Sequence, residues 1–299
     1  METLSQAERH WIRSLCAYIA LTKPRIIELL LITTVPAMVV ARGGIPPVGS
    51  VAVTIVGGAL AAGGANAANM WYDRDIDSVM GRTKQRPLVT GEISPAGALV
   101  FAVVLEAVAF TLLAIGDNLF SASLALFAAL FYVFVYTMWL KRSVSRNIVI
   151  GGIAGAVPVL VGWAAVRDSL SLVAWLMFGT IFVWTAPHFW GLAFRYSEEY
   201  AAAGVPMLPS VAPPKRCAGE ILAYTLILAA ITELLGPAAH LGATYEMACL
   251  ILNAGFIGCA YTLFRRQTTK AAMRVFSFSI SYLSVLFIGI AVDVLLRSR

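Results

Sequence analysis

Residues 51–91 read VAVTIVGGALAAGGANAANMWYDRDIDSVMGRTKQRPLVTG. The first half is an apolar run of the length that crosses a bilayer as a helix, roughly 20 residues. The second half turns abruptly polar. Asn69, Asp73 and Asp77 stand at i, i+4 and i+8. At about 100° per residue, each step of four drifts by only about 40°, so the three oxygen-bearing side chains line one helix face. Arg82, Lys84 and Arg86 follow at once. Carboxylates next to cations suit a magnesium diphosphate: the acids hold the hard metal, and metal and cations hold the phosphate oxygens.

The rest of the chain has the character of that apolar half. Of its 299 residues 60% are hydrophobic and 13% are charged, where a soluble domain carries about 25% charged residues. Apolar runs are expected near 25–42, 51–70, 97–115, 119–139, 148–166, 170–190, 219–238, 245–264 and 274–296. The expected fold class is an all-α integral membrane bundle of about nine transmembrane helices, one domain over 1–299, with a polar active site at its cytoplasmic side. The runs are continuous rather than alternating, which excludes a β-barrel. Residues 1–22 form a cytoplasmic or interfacial segment without the pattern of a cleavable signal peptide. Cys16, Cys217, Cys249 and Cys259 lack metal-ligand spacing and read as small apolar fillers.

The net charge is +6. With the N-terminus inside, only Arg42, Arg167, Arg297 and Arg299 of the 22 Lys and Arg fall outside. The positive-inside rule therefore places the N-terminus and the active-site loops in the cytoplasm and the C-terminus outside, in a bacterial-type cytoplasmic membrane. Orientation accounts for the basicity, and no nucleic acid is called for.

A second polar cluster falls on the same side. The segment TAPHFWGLAFRYSEEYAAAGVPMLPSVAPPKR, residues 185–216, carries His188, Arg195 and Glu199 at spacings that let them share a helix face. Glu199 offers a second oxygen ligand for a cation, and Arg195 a charge-assisted donor for phosphate. Pro187 is expected to kink the helix. Lys141 and Arg142 follow the fourth run, and Asn147 opens the fifth, where it is expected to cap the helix. Gly151, Gly152, Gly155 and Gly162 permit close helix packing. Arg25 and Glu28 pair or serve the site. Glu106, Glu233 and Asp293 are expected at interfaces or in pairs.

Two polar clusters above an apolar bundle suit a substrate with an ionic head and a long greasy tail. An isoprenyl diphosphate fits. Its leaving group departs once its charge is neutralised, and the allylic cation left behind needs a dry, aromatic-walled cavity. Trp71, Tyr72, Phe189 and Trp190 are candidates for that wall.

At these residues the chain resembles a known family. NMWYDRDID followed by RTKQRPL looks like the first signature of the intramembrane UbiA-type prenyltransferases. The finer likeness is to the branch that farnesylates protoheme IX. It rests on LTKPRIIELLLITT, DRDIDSVMGRTKQRPLVTG, YTMWLKRS with NIVIGGIAGAVP and GWAAV, and PHFWGLAFRYSEEYAAAGVPMLP, spanning residues 21–209. The resemblance implies transfer of a farnesyl group from farnesyl diphosphate to a vinyl group of heme b, with water addition giving heme O. It implies Mg2+ held by Asn69, Asp73, Asp77 and Glu199. Arg82, Lys84, Arg86, Lys141, Arg142 and Arg195 would then lie near the diphosphate, and His188, Asn147 and Arg25 on the heme side. A heme A synthase or a terminal oxidase is an implied assembly partner. The chain offers one acid in the second motif where quinone prenyltransferases carry two, which favours heme over a phenolic acceptor. SVSRN replaces a frequent Thr-Pro-Gln-Asn run, and Val159 a frequent proline. The alternatives are an aromatic prenyltransferase of quinone synthesis and, more distantly, a transporter or lipid-binding protein.

Overall fold

The computed structural model describes residues 6–298, and the side chains of residues 11–24 and 32–298. Among the described residues the chain is helical throughout, without a strand. The helices are α1 (Gln6–Thr22), α2 (Pro24–Arg42), α3 (Val48–Tyr72), α4 (Arg74–Val79), α5 (Pro87–Thr90) and α6 (Pro95–Gly116). They continue as α7 (Leu119–Ser143), α8 (Asn147–Arg167), α9 (Leu172–Arg195), α10 (Ser197–Ala202), α11 (Leu208–Val211), α12 (Pro214–Ala238), α13 (Ala243–Arg266) and α14 (Thr269–Arg297). Eight of them, α3, α6, α7, α8, α9, α12, α13 and α14, are long and apolar enough to cross a membrane among the described residues. The ninth expected span, 25–42, coincides with α2. With α2, whose described apolar part Ile32–Arg42 is shorter, the count roughly matches the nine helices expected, and the protein is an integral membrane protein.

Local chemistry sets the helix ends. Pro24 opens α2, where its missing N–H is no loss. Ser94, Asn118 and Thr268 cap α6, α7 and α14 by accepting from Gly97, Ser121 and Ala271 backbone N–H groups. Gly43 ends α2 in the left-handed conformation at φ 69°.

Small residues bring the helices together. A Cβ at Gly57 would lie 2.6 Å from Leu113, and one at Gly64 would lie 2.9 Å from the Ala102 carbonyl, so α3 and α6 touch nearly backbone to backbone. Gly162 on α8 meets the Thr34 carbonyl of α2, where a Cβ would lie at 2.7 Å. Gly151 and Gly152 make room for Tyr136 and Thr185. Gly155 departs from the packing expectation, because a Cβ there would meet open space. α8 is the central helix, with 67% of its span buried. Trp190, Tyr245, Tyr282, Phe256 and Phe287 fill the core among α9, α12, α13 and α14. Outward residues such as Val100, Val103, Leu250 and Ile251 are exposed and apolar, as lipid contact requires.

Isolated acids within the apolar helices are paired as expected. Asp293 accepts from Gly242 N–H at 2.7 Å at the start of α13, and Glu233 accepts from Asn253 at 2.9 Å. Glu106 differs: its Oε1 is buried without a partner. Cys217 and Cys249 are buried fillers, while Cys16 is exposed. Glu28 has its side chain outside the described residues.

Candidate active site

Asn69 lies in the last turn of α3, which runs to Tyr72. The chain bends at Asp73, yet Asp73 N–H still bonds to Asn69 O at 2.9 Å and Asp77 N–H to Asp73 O at 2.8 Å. The i, i+4 register therefore survives the break between α3 and α4. Asn69, Asp73 and Asp77 are all buried.

Buried carboxylates need partners, and these come both from the neighbouring sequence and from the end of α7. Asn69 Nδ2 donates to Asp73 Oδ2 at 2.8 Å and to Thr137 Oγ1 at 2.9 Å. Lys141 Nζ bonds to the same Asp73 oxygen. Arg142 reaches Asp73 at 3.5 Å but grips Asp75 with two bonds, at 2.7 and 2.8 Å. The Arg142 hydrogen bond is the main reason that the Asp75 carboxyl falls to about 2. Arg86 bonds to Asp77 Oδ2 at 2.6 Å. Thr137 and Lys141 reach α3 from a π-helical stretch of α7, Phe131–Leu140, in which Lys141 N–H bonds to Tyr136 O five residues back. Such widened turns recur at functional sites.

Lys23 joins this group, and its sequence context alone did not single it out. It sits between α1 and α2 at φ 53°, ψ 60°, a left-handed backbone that is unusual for lysine. Its Nζ donates to Asn69 Oδ1 at 2.6 Å. Burial, helped by Arg86 and Lys141, lowers its ammonium to about 7. The signal available in sequence was a Lys-Pro pair at the inner end of an apolar run. Thr137 was missed too, although it stands four residues before Lys141.

The second cluster divides. Glu199 lies against the loop that follows Asp77: a Cβ at Gly81 would be 3.7 Å from Glu199 Oε2. That oxygen is buried and has no hydrogen-bond partner. Arg195 and Glu199 belong to two helices, because the first ends at Tyr196 (φ −108°, ψ 21°) and Glu199 lies on α10. Arg195 is exposed, its guanidinium 5.6 Å from the Tyr196 ring. Arg82 lies over the same ring at 5.7 Å. Lys84 is exposed.

α9 runs unbroken through Pro187, and His188 is buried on it. Its ring stacks on Trp184 at 4.3 Å and lies 4.8 Å from Phe276. Nδ1 is 2.7 Å from Ser279 Oγ, and that hydroxyl donates to Phe276 O at 2.6 Å. With its one proton committed there, Ser279 accepts from Nδ1–H, and Nε2 carries the free lone pair. No described group bonds to Nε2.

Asn147 is not the cap of α8. It is the first helical residue after Arg146, its Nδ2 donates back to Val144 O at 2.7 Å, and its buried Oδ1 is unpartnered. Arg25 lies outside the described side chains. The aromatic candidates are largely engaged elsewhere: Trp71 and Tyr72 lie under Arg74 and Arg142, Phe189 is exposed, and Trp190 packs against Tyr224. The rings near the acids are instead Tyr132 and Tyr136, stacked at 5.5 Å on the π-helical stretch.

A helical membrane bundle with an Asn–Asp–Asp row, opposed lysines and arginines and a nearby glutamate has the layout expected of an intramembrane prenyltransferase. The chain belongs to the UbiA prenyltransferase family, whose model matches residues 30–285. It is 53% identical over 282 residues to protoheme IX farnesyltransferase 1 of Saccharopolyspora erythraea, covering 93% of this chain and 90% of the relative. It is 50% identical over 287 residues to protoheme IX farnesyltransferase of Streptomyces coelicolor, covering 94% and 91%. The fold matches the apo structure of a UbiA homolog from Aeropyrum pernix K1 (TM-score 0.71, 21% identity, 91% and 98% of the two chains). It also matches a UbiA homolog from Archaeoglobus fulgidus bound to DMAPP and Mg2+ (TM-score 0.68, 16% identity, 93% and 98%).

Proposed function

We infer that the protein transfers a farnesyl group from farnesyl diphosphate to a vinyl group of heme b, with addition of water, giving heme O. The observation that carries the diphosphate half is the meeting of Asn69, Asp73 and Asp77 with Lys23, Lys141 and Arg86 at one end of an apolar bundle. The acceptor half rests on relatives of this chain at about half identity that carry the protoheme IX farnesyltransferase name.

The donor chemistry suits Mg2+, since Asn69, Asp73, Asp77 and Glu199 offer hard oxygens and Glu199 Oε2 is a buried acceptor without a bond; among the described residues no three acids converge as they stand, so these side chains would turn toward the ion on binding it. When bound, the metal would neutralise the diphosphate and so favour its departure. Lys23, Lys141 and Arg86 already stand beside these acids and can turn onto phosphate oxygens, keeping the charges paired. Tyr132 and Tyr136 offer aromatic faces beside the departing group, and the apolar helices exclude water from the allylic cation. On the acceptor side, Ser279 fixes the His188 tautomer so that Nε2 can accept a bond from, or ligate, the heme. Asn147, with a free buried oxygen, is the second polar group proposed there.

The positive-inside pattern supports a site on the cytoplasmic side and a C-terminus outside. A heme A synthase or a terminal oxidase is the proposed recipient of the product.

The test is to incubate purified enzyme with heme b, farnesyl diphosphate and Mg2+, then weigh the extracted heme by mass spectrometry. A gain of one farnesyl group and one water is expected. Unchanged heme beside a prenylated hydroxybenzoate or naphthoate would move the protein to quinone synthesis.

A further inference from the structure

Among the described residues, α1 is held to the bundle by few polar contacts. Its outward stripe of Trp11, Ile12, Leu15 and Ile19 is exposed and apolar, with Trp11 66% exposed, as suits a helix lying at the lipid interface. On the inward side Tyr18 meets Phe101 edge-on at 5.0 Å, while the exposed Arg13 pairs loosely with Glu92 at 3.6 Å. The end of α1 is fixed differently. Asn66 is buried on α3, one turn before Asn69, and its Nδ2 donates to the carbonyl of Thr22, the last residue of α1, at 2.9 Å. That carbonyl is one of those a helix leaves unpaired at its C-terminus. One turn further back on α3, Gly63 lets Thr22 approach: a Cβ there would lie 3.2 Å from Thr22 Cβ. Gly63, Asn66 and Asn69 thus form a stripe that receives the α1–α2 junction.

The next residue is Lys23. Its left-handed backbone is unfavourable for a lysine, and the more so before proline. A strained residue keeps such a conformation only where its surroundings enforce it. Here the enforcing groups are Asn66 on the preceding carbonyl and Asn69 on the ammonium.

We propose that Asn66 is a positioning residue that clamps the end of α1 so that the Lys23 ammonium is delivered to Asn69 and to the diphosphate. Asn66 does not touch substrate and acts through Lys23. The proposal rests on the diphosphate half of the reading above and not on the identity of the acceptor.

A double-mutant cycle tests it, with equilibrium binding of farnesyl diphosphate in Mg2+ as the readout and heme omitted. Asn66→Leu keeps the side-chain size and removes the N–H, and Asn66→Ala serves as a second variant. Each should weaken binding by about tenfold, the scale of a hydrogen bond that orients a charge. In a Lys23→Met background the same Asn66 change should cost less than about twofold, because coupled sites are non-additive. Equal penalties in both backgrounds would mean a merely structural role and overturn the proposal, as would unchanged binding on loss of Lys23. Because no acceptor is present, these results are independent of whether the wild-type enzyme makes heme O.

Discussion

Lys141 bonds to Asp73 across 68 residues of sequence, at a point where Asp73 is fully buried. The pair ties the π-helical end of α7 to the break between α3 and α4, and Asn69 shares the same carboxylate oxygen. Removing one partner of such a pair strands a charge in a poorly hydrated place, which typically costs about 3–5 kcal/mol.

Asp73→Asn and Asp77→Asn should each lower turnover by about 100-fold or more, from lost charge stabilisation at the diphosphate. The enzyme should still insert and purify. Heme O formation measured by mass spectrometry is the check, and near-normal rates in both variants would remove the aspartates from the metal site.

Arg86 and Lys84 should differ sharply. Arg86 is 2.6 Å from Asp77, whereas Lys84 is exposed to solvent. Arg86→Ala should lower kcat/KM for farnesyl diphosphate by about tenfold or more, and Lys84→Ala by less than about twofold, the usual difference between a partly buried and a solvated cation. Comparable losses in the two variants would contradict the geometry.

Glu199→Gln should raise the Mg2+ concentration needed for half-maximal activity by about tenfold, since a neutral amide is a poorer ligand for a hard cation. Titration of the metal at saturating farnesyl diphosphate measures it. An unchanged Mg2+ requirement would leave the free oxygen of Glu199 without a metal role.

His188→Ala should weaken heme retention more than farnesyl diphosphate binding, and Ser279→Ala should do so to a lesser degree, because Ser279 only fixes the ring. Absorbance of co-purified or titrated heme reports the first, and equilibrium binding the second. The opposite order would take His188 off the acceptor side.

Helix packing supplies a stability contrast. Gly162→Ala should destabilise by about 1–3 kcal/mol, as overpacking does, because its Cβ would lie 2.7 Å from the Thr34 carbonyl. Gly58→Ala, with open space at that position, should leave the thermal midpoint in detergent unchanged or raised. Equal midpoints for the two variants would show that α2 and α8 are not held as closely as described.

Much of the site was legible in the chain. Asn69, Asp73 and Asp77 could be placed on one face because four-residue spacing is enough when the hydrogen-bond ladder continues, and it does continue through Asp73. Arg195 and Glu199 have the same spacing, but there it spans two helices rather than one. The chain breaks at Tyr196, and no proline or glycine at that point announces it. Asn147 was misplaced by one residue because the backbone geometry of Arg146, not the side-chain preference of asparagine, sets the cap.

What the sequence by itself determined is what depends on local chemistry: membrane-spanning helices, from the continuity of apolar residues, and the acid row with its trailing cations, from helical spacing. The tertiary structure alone decided which cations meet which acids. Lys23, Thr137 and Lys141 are separated from Asn69 and Asp73 by 46 to 68 residues, and only the packing of α1, α3 and α7 brings them together. Pairing between helices depends on close approach through glycines and on a π-helical turn, and neither leaves a periodic trace in the chain.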